Sequence, residues 1–348
     1  MSIIKKIGAL VILAWLSLSP VGAETVYTDS AYPEPAYGGR YGFSISPLIG
    51  ILYGQGDEIV YKTRGRPEYY SELLWDLRPL FYAGFAADFG PRDPFMNHGF
   101  FAALSAKFGL PLRTGILENR DWLYPDNSGL TNYSRHDAYS QNAILADFSL
   151  GFSWRLSEFI SLRAFGEVSY MHFNWLSYDG YLQYLESNQW GIIPGQTWHS
   201  NLPKIRVHGP AIQYIQNWLI LSPGLSLKAK ISDLFSVEGN ARYTPLVFSR
   251  NKDEHFYRQV TFTEELFFGH FIDGGARFIV SPARNLELSL SAAYRYIFGS
   301  RGDITVMNNG IAGYDLFAGQ KYIAYNEAGA GYSALDIGLS ARLLIPGR

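Results

Sequence analysis

From Ala143 to Arg155 the chain reads AILADFSLGFSWR, with an apolar side chain at nearly every second residue. Ile144, Ala146, Phe148, Leu150, Phe152 and Trp154 share one face; Asp147, Ser149, Gly151, Ser153 and Arg155 share the other. Side chains two apart on a strand point the same way, so the alternation predicts a strand with one greasy surface and one polar surface. The pattern returns along the chain. Ile160, Leu162, Ala164 and Val168 oppose Ser161, Arg163, Glu167 and Ser169, and Leu221, Leu225, Leu227 and Ala229 oppose Ser222, Ser226, Lys228 and Lys230. Leu286, Leu288, Leu290 and Tyr294 stand against Glu287, Ser289, Ser291 and Arg295, and Leu335, Ile337, Leu339 and Leu343 against Asp336, Ser340 and Arg342. Charge confined to one face, strand after strand, fits a barrel with a polar interior and an apolar exterior.

Such segments predict about ten strands, near residues 41–53, within 58–89, and near 98–112, 138–154, 159–175, 210–230, 234–250, 260–280, 285–299 and 333–345. Short connections are expected near 155–158, 231–233 and 281–284, a longer one at 90–97, and long ones near 54–68, 113–137, 176–209, 251–259 and 300–332. The expected fold is all-β, a ten-stranded antiparallel transmembrane β-barrel with short periplasmic turns and long extracellular loops.

Periodicity does not by itself say which face is outside, because a soluble barrel has the reverse sense. Export and composition favour the membrane. Lys5 and Lys6 precede an apolar run from Ile7 to about Leu18, and Val21-Gly22-Ala23 supplies small residues before an expected cut after Ala23. Residues 1–23 are therefore expected to be a signal peptide, 24–40 a Pro-containing lead-in, and 41–348 one barrel domain. Aromatics are 16% of the chain, with 25 Tyr and 35 Gly, and no later apolar run reaches transmembrane-helix length. Loss of Lys5 and Lys6 moves the formal charge from −2 to −4, which gives no pointer to nucleic acid. The absence of cysteine excludes disulfides and thiolate metal sites.

The chemistry gathers near expected strand tips. Asp253 and His255 lie two apart in RNKDEHFYR, where a carboxylate can bond one imidazole nitrogen and raise the basicity of the other. Parity conflicts with this. Counted from Phe235, Val237 and Tyr243, odd residues face lipid, so either the strand leaves the membrane before Asp253 or a bulge resets the facing. Ser134, Arg135 and His136 form an SRH run in the second long loop, without an obvious orienter or oxyanion donors for nucleophilic catalysis. His98, His172, His199, His208 and His270 lack metal-ligand spacing, and no metal or other cofactor is expected.

Three stretches taken in order, GQGDEIVY, NRDWLYPDNSGLTNYSRHDAYSQ and RNKDEHF, give the chain its resemblance to the omptins, ten-stranded outer-membrane endopeptidases. The resemblance runs from about Ser44 to Leu343. It implies an aspartic-type mechanism without a covalent intermediate, in which a water lies between a His–Asp dyad and an aspartate pair. By position Asp253 and His255 match the dyad, Asp121 matches the second aspartate, and Asn119 stands where the first would be. An amide there keeps one acceptor oxygen and removes a charge that favours imidazolium, so reduced activity is expected. Glu58 matches the first of two acids that select basic side chains, and Asn251 replaces the second, so weaker basic selectivity is expected. Tyr170 fits a lipopolysaccharide-binding face, but Asn174 and Asn217 replace arginines and His172 an acid, so no lipopolysaccharide requirement is expected. The implied protein is an outer-membrane surface endopeptidase, its site facing outside, acting on polypeptides and contacting outer-membrane lipid. The alternatives are a proteolytically silent barrel serving as adhesin or receptor, and a small porin.

Overall fold

The computed structural model describes residues 41–345 apart from 63–68, 125–128, 186, 189–190, 193–195 and 311–317. The chain divides into Met1–Tyr37 and Gly38–Arg348, and the described residues belong to the second unit. The expected signal peptide and lead-in lie outside them.

Ten antiparallel spans close into a ring. They are β1 (Tyr41–Tyr61), β2 (Tyr69–Pro91), β3 (Gly99–Gly109 and Arg113–Asp121), β4 (Asn132–Arg155), β5 (Ile160–Tyr184), β6 (Pro210–Lys230), β7 (Phe235–Thr244 and Val247–His255), β8 (Val260–Phe267 and Phe271–Ala283), β9 (Leu286–Asn308) and β10 (Lys321–Ile345). Each pairs with its sequence neighbours, and β1 closes the ring on β10 through a register running from Phe43↔Ile345 to Val60↔Ala328. Among the described residues the ten spans leave no open edge in the ring.

The facing follows the alternation read from the chain. Phe148, Leu150, Trp154, Leu225, Leu288, Leu290, Leu339 and Leu343 are exposed on the outer wall, where lipid rather than water is the solvent. The strands, however, are longer than expected. Residues 54–61, 113–121, 132–137, 176–184, 251–255 and 300–308 continue the sheet instead of forming loops. Their outward side chains change from apolar to charged, with Arg120 bonded to Glu118 at 2.8 Å and to Glu72 at 3.4 Å, Lys252 to Glu254 at 2.8 Å and Arg250 to Glu265 at 3.5 Å. Charged outward rows cannot sit in hydrocarbon. These tips therefore stand above the membrane, and the sequence reading missed them because apolar alternation ends where lipid ends.

Inside, β10 gives the layering. Asp336, Tyr332 and Ala330 point inward opposite Leu52, Gly56 and Glu58 of β1. At the level of Asp336 the bore is crossed by ion pairs. Arg295 reaches Asp147 at 2.9 Å and Asp273 at 3.1 Å, Arg242 reaches Asp273 at 3.0 Å, and Lys107 holds Asp336. Buried charges survive when paired in this way. Above them lies an aromatic floor in which Trp75, Trp175 and Tyr214 stack with centroids 5.9–6.1 Å apart, and Phe173 stacks on Trp175 and Tyr332. Gly56 admits Trp175, since a Cβ there would come within 2.9 Å of the indole. Crossed by ion pairs and capped by rings, the bore is ill suited to general diffusion.

The parity conflict resolves at Pro245 and Leu246. Gly224 of β6 faces Arg242, whereas Ile220 faces Val247, so β7 fits one extra residue into this interval. Proline has no N–H to give the ladder, which suits it to such an interruption. Below it the odd residue Tyr243 is exposed; above it Val247, Ser249, Asn251, Asp253 and His255 are buried and inward. Phe268-Gly269-His270 reset β8 in the same way, so that Glu264 and Leu266 point inward above the break and Phe271 and Asp273 below it.

At the outer tip of β5, Asp179 and Gly180 have φ of 54° and 103°. A Cβ on Gly180 would lie 2.0 Å from the Arg135 carbonyl oxygen. Gly180→Ala is therefore expected to destabilise the β4–β5 tip by about 1–3 kcal/mol. Faster amide exchange from Arg135 to Tyr139, with the lower strands unchanged, would check it.

Candidate active site

The reset in β7 turns Asp253 and His255 into the mouth of the barrel. His255 Nε2 lies 2.5 Å from Asp253 Oδ2. With Nε2–H donating to the carboxylate, Nδ1 is left as the basic nitrogen. Asp253 is 1% exposed and His255 8%, which seals the orienting acid while the imidazole borders solvent. The edge of the Phe262 ring, 5.4 Å away between centroids, steadies the imidazole.

Asn119 and Asp121 project inward from the upper segment of β3, both buried, with Glu118 and Arg120 on the outer face. The two-residue spacing thus acts as expected on an extended strand. Ser71 of β2, the cross-strand partner of Asp121, joins the two side chains. Its Oγ donates to Asp121 Oδ1 at 2.7 Å and lies 3.1 Å from Asn119 Oδ1. One hydroxyl proton cannot serve both fully, and the carboxylate is the stronger acceptor. Burial pushes the Asp121 carboxyl up, while Arg258, with Nη2 at 4.0 Å, Ser71 and His255 oppose the rise. Asp121 and His255 thus lie within electrostatic range of each other across the cleft.

The SRH run is strand, not loop. Ser134 and His136 are buried and inward on β4, whereas Arg135 is exposed. His136 Nδ1 lies 2.5 Å from the Asp179 carbonyl oxygen, so Nδ1–H donates and Nε2 is the acceptor nitrogen. Burial lowers the His136 pKa, the Asp179 carbonyl opposes this, and the His255 charge lowers it further. The cleft therefore holds a second imidazole. The alternation Asn132, Ser134, His136 was its signal in the sequence.

Below the dyad lies a cluster of acids. Glu58 of β1 lies beside Asp253, and burial raises the Glu58 pKa well above its usual value, with the Asp253 and Glu264 charges adding to the rise. Glu58 Oε2 and Asp253 Oδ1 are buried without a hydrogen-bond partner. Asn251 faces Glu264 across the β7–β8 ladder, and its Nδ2 donates to Glu264 Oε2 at 3.0 Å. Its own oxygen accepts from Ser249 Oγ at 2.7 Å and from the Asn217 amide at 3.1 Å. Burial pushes Glu264 up to about 8, against the Asn251 and Tyr214 hydrogen bonds, and the Asp253 charge adds to the rise.

A carboxyl group whose pKa is raised in the folded state stabilises the fold in its protonated form. The Glu264 contribution is complete below its unfolded value of 4.5 and is lost as pH rises through about 8. Glu264→Gln should therefore match the wild type in urea denaturation near pH 5 and exceed it in midpoint near pH 9. Equal midpoints at both pH values would contradict this.

On the outer wall Tyr170 donates to Asn217 Oδ1 at 3.1 Å. The two His172 ring nitrogens lie 2.8 Å and 2.7 Å from Asn217 Oδ1 and Asn142 Oδ1, and Gln213 donates to Asn174 at 2.9 Å. These groups satisfy one another. Among the described residues no group of three His, Asp or Glu side chains has metal-binding geometry.

The structure thus turns Glu58, Asn119, Asp121, Asn251, Asp253 and His255 inward on the upper strands, with Glu58 beside Asp253, Asn119 joined to Asp121 through Ser71, and Asp121 near enough to His255 to feel its charge. Reading along the chain missed Ser71 and Glu264, and set His136 aside with the SRH run. Glu264 was hidden because it interrupts the otherwise apolar row Phe262, Leu266.

Comparisons agree with this architecture. The omptin family model matches residues 40–343. A plasminogen activator of Yersinia pestis is 26% identical over 278 residues, spanning 77% of this chain and 80% of its own. The crystal structure of the outer membrane protease OmpT from Escherichia coli superposes with a TM-score of 0.75 at 16% identity, covering 87% of this chain and 97% of its own. A family match over most of the chain, on a ring of ten strands, leads to one conclusion: the chain belongs to the omptin family, the outer-membrane β-barrel proteases.

Proposed function

We propose that the protein is a cell-surface endopeptidase in which Asp253 and His255 activate a water held against Asn119 and Asp121. The observation that carries this reading is the 2.5 Å bond between His255 Nε2 and Asp253 Oδ2 at the solvent border of the cleft. It leaves Nδ1 basic and turned from its orienting acid. In the reaction Nδ1 takes a proton from the water as the oxygen attacks the scissile carbonyl. The imidazolium is stabilised by Asp253 on one side and Asp121 on the other. The same proton then passes to the leaving amine as the C–N bond breaks. Atoms and charge balance without a covalent enzyme intermediate.

Glu58 and Asn251 form the wall of the pocket that receives a substrate side chain. The outer-wall cluster of Tyr170, His172, Asn217 and Asn142 is built of uncharged partners, and Arg250 nearby faces Glu265 at 3.5 Å. Such a face gives lipid phosphate little to bind, so activity is expected without lipopolysaccharide.

The test is refolding in detergent and incubation with peptides containing internal Arg or Lys, with and without added lipopolysaccharide. Cleavage by the wild type that His255→Ala loses supports the reading. Equal cleavage by both removes the dyad from the mechanism. Absence of any cleavage favours the silent barrel serving as adhesin or receptor.

A further inference from the structure

The peptidase reading assigns Asp121 a role that only its charged form can fill, since a neutral carboxyl gives an imidazolium no countercharge. Its surroundings do little to keep that charge. Asp121 is 4% exposed, and burial pushes its carboxyl up. Asn119, on the same face, is neutral, and the Ser71 hydroxyl serves Oδ1 at 2.7 Å. Across the ladder on β4 stands Asn132, again uncharged. Glu72, Glu118 and Arg120 pair with one another on the outer wall.

Among the described residues the one cationic side chain within 4.0 Å of Asp121 comes from across the mouth, in the turn between β7 and β8. Arg258 Nη2 lies 4.0 Å from Asp121 Oδ2 and donates to Tyr184 Oη of β5 at 3.3 Å. The first distance is too long for a hydrogen bond. The guanidinium therefore acts on Oδ2 through its charge and leaves the oxygen able to accept from a water. Of the groups around Asp121 it opposes the effect of burial most, ahead of Ser71, His255 and Asn132. The turn fixes where this side chain starts. Phe256 N–H donates to the Ala211 carbonyl of β6 at 3.1 Å, and the Gln259 carbonyl accepts from Asn309 N–H, just past β9, at 2.7 Å. Gln259 has a φ of 52°, a left-handed conformation that costs a residue with a side chain and is held here between two pinned flanks.

We propose that Arg258 is a positioning residue for the hydrolysis, reaching across the mouth from the β7–β8 turn, tethered by Tyr184, to hold Asp121 as the anion that faces the His255 imidazole. Asn119 makes this cation necessary. The edge it shares with Asp121 carries a single charge, and loses all of it when Asp121 takes a proton. The inference rests on the peptidase reading for what the anion does, and on the contacts of Arg258 alone for what keeps it charged.

The first measurement does not depend on catalysis. Carboxyl NMR signals of protein carrying isotope-labelled aspartate are followed with pH in detergent, the Asp121 signal being the one missing from Asp121→Asn. Its midpoint is expected to rise by about one pH unit in Arg258→Gln, and to stay near the wild-type value in Arg258→Lys, which keeps the charge. An unchanged midpoint in Arg258→Gln overturns the proposal. The second measurement is the pH profile of peptide cleavage. On its acid side Arg258→Gln should fall about tenfold below the wild type in kcat/KM, through kcat, and the two should converge as pH rises past the midpoint of the variant. A loss equal at every pH, or one carried by KM, overturns the proposal, because the guanidinium would then hold the turn or the peptide. Should Arg258→Gln fail to show the electrophoretic shift of a folded barrel, Arg258→Met, neutral and of similar length, is judged by the same outcomes. Should no peptide be cleaved, the peptidase reading fails separately, and the Asp121 midpoint still decides whether Arg258 keeps that carboxyl charged.

Discussion

Replacing His255 by alanine is expected to lower kcat/KM for peptide hydrolysis by about two to four orders of magnitude, the usual contribution of a positioned general base. The loss should fall on kcat, because the imidazole sits at the rim while the side-chain pocket lies beneath it. Asp253→Asn is the sharper variant. It preserves the shape of the dyad, but its amide can present N–H where the carboxylate presented oxygen. The imidazole then turns Nε2 into the acceptor and places the hydrogen on Nδ1, against the water. A loss comparable to that of His255→Ala is expected. The asparagine variant also removes a charge that adds to the upward push on the Glu58 pKa, so the two variants should differ in pH profile even when equal in rate. Rates measured on folded barrels, verified by electrophoretic shift, check both. Undiminished hydrolysis by either would show that the water is activated elsewhere in the cleft.

Much of this architecture could be read from the chain because a membrane barrel has few ways to satisfy its surroundings. Lipid demands apolar residues at period two, and the bore accepts what remains, so the faces carrying Phe148 or Leu339 and Asp147 or Asp336 separate cleanly. The reading failed where that demand stops. Above the membrane Lys252, Glu254, Glu118 and Arg120 face outward and Asp253 and Asn119 inward, so polarity no longer distinguishes the walls and strand tips resembled loops. Facing could not be carried past Pro245 either, because one extra residue reverses every side chain beyond it. The candidate site was legible where chemistry depends on residues close in sequence, as in Asp253 with His255 or Asn119 with Asp121. It was illegible where it depends on register. Ser71 opposite Asp121 and Glu264 opposite Asn251 are separated from their partners by 50 and 13 residues and meet only through ladder pairing.

Asn119→Asp should raise kcat/KM by about one to two orders of magnitude, through one added charged interaction with the developing imidazolium. The size of the gain depends on how the new carboxylate shares its surroundings. Asn119 Oδ1 and Asp121 Oδ1 already compete for the Ser71 hydroxyl, at 3.1 and 2.7 Å. Burial pushes Asp121 up, and Arg258 at 4.0 Å only partly opposes it. Two buried carboxyls so close hold one proton between them at low pH, and the variant then carries the same single charge as the wild type. As pH rises the shared proton leaves and the second charge becomes available. The ratio of variant to wild-type kcat/KM should therefore start near one at about pH 5 and climb toward about pH 9. A ratio that stays near one throughout would mean that residue 119 does not face the imidazole across the water. A ratio that falls with pH would mean that like-charge repulsion displaces Asp121 and outweighs the gain.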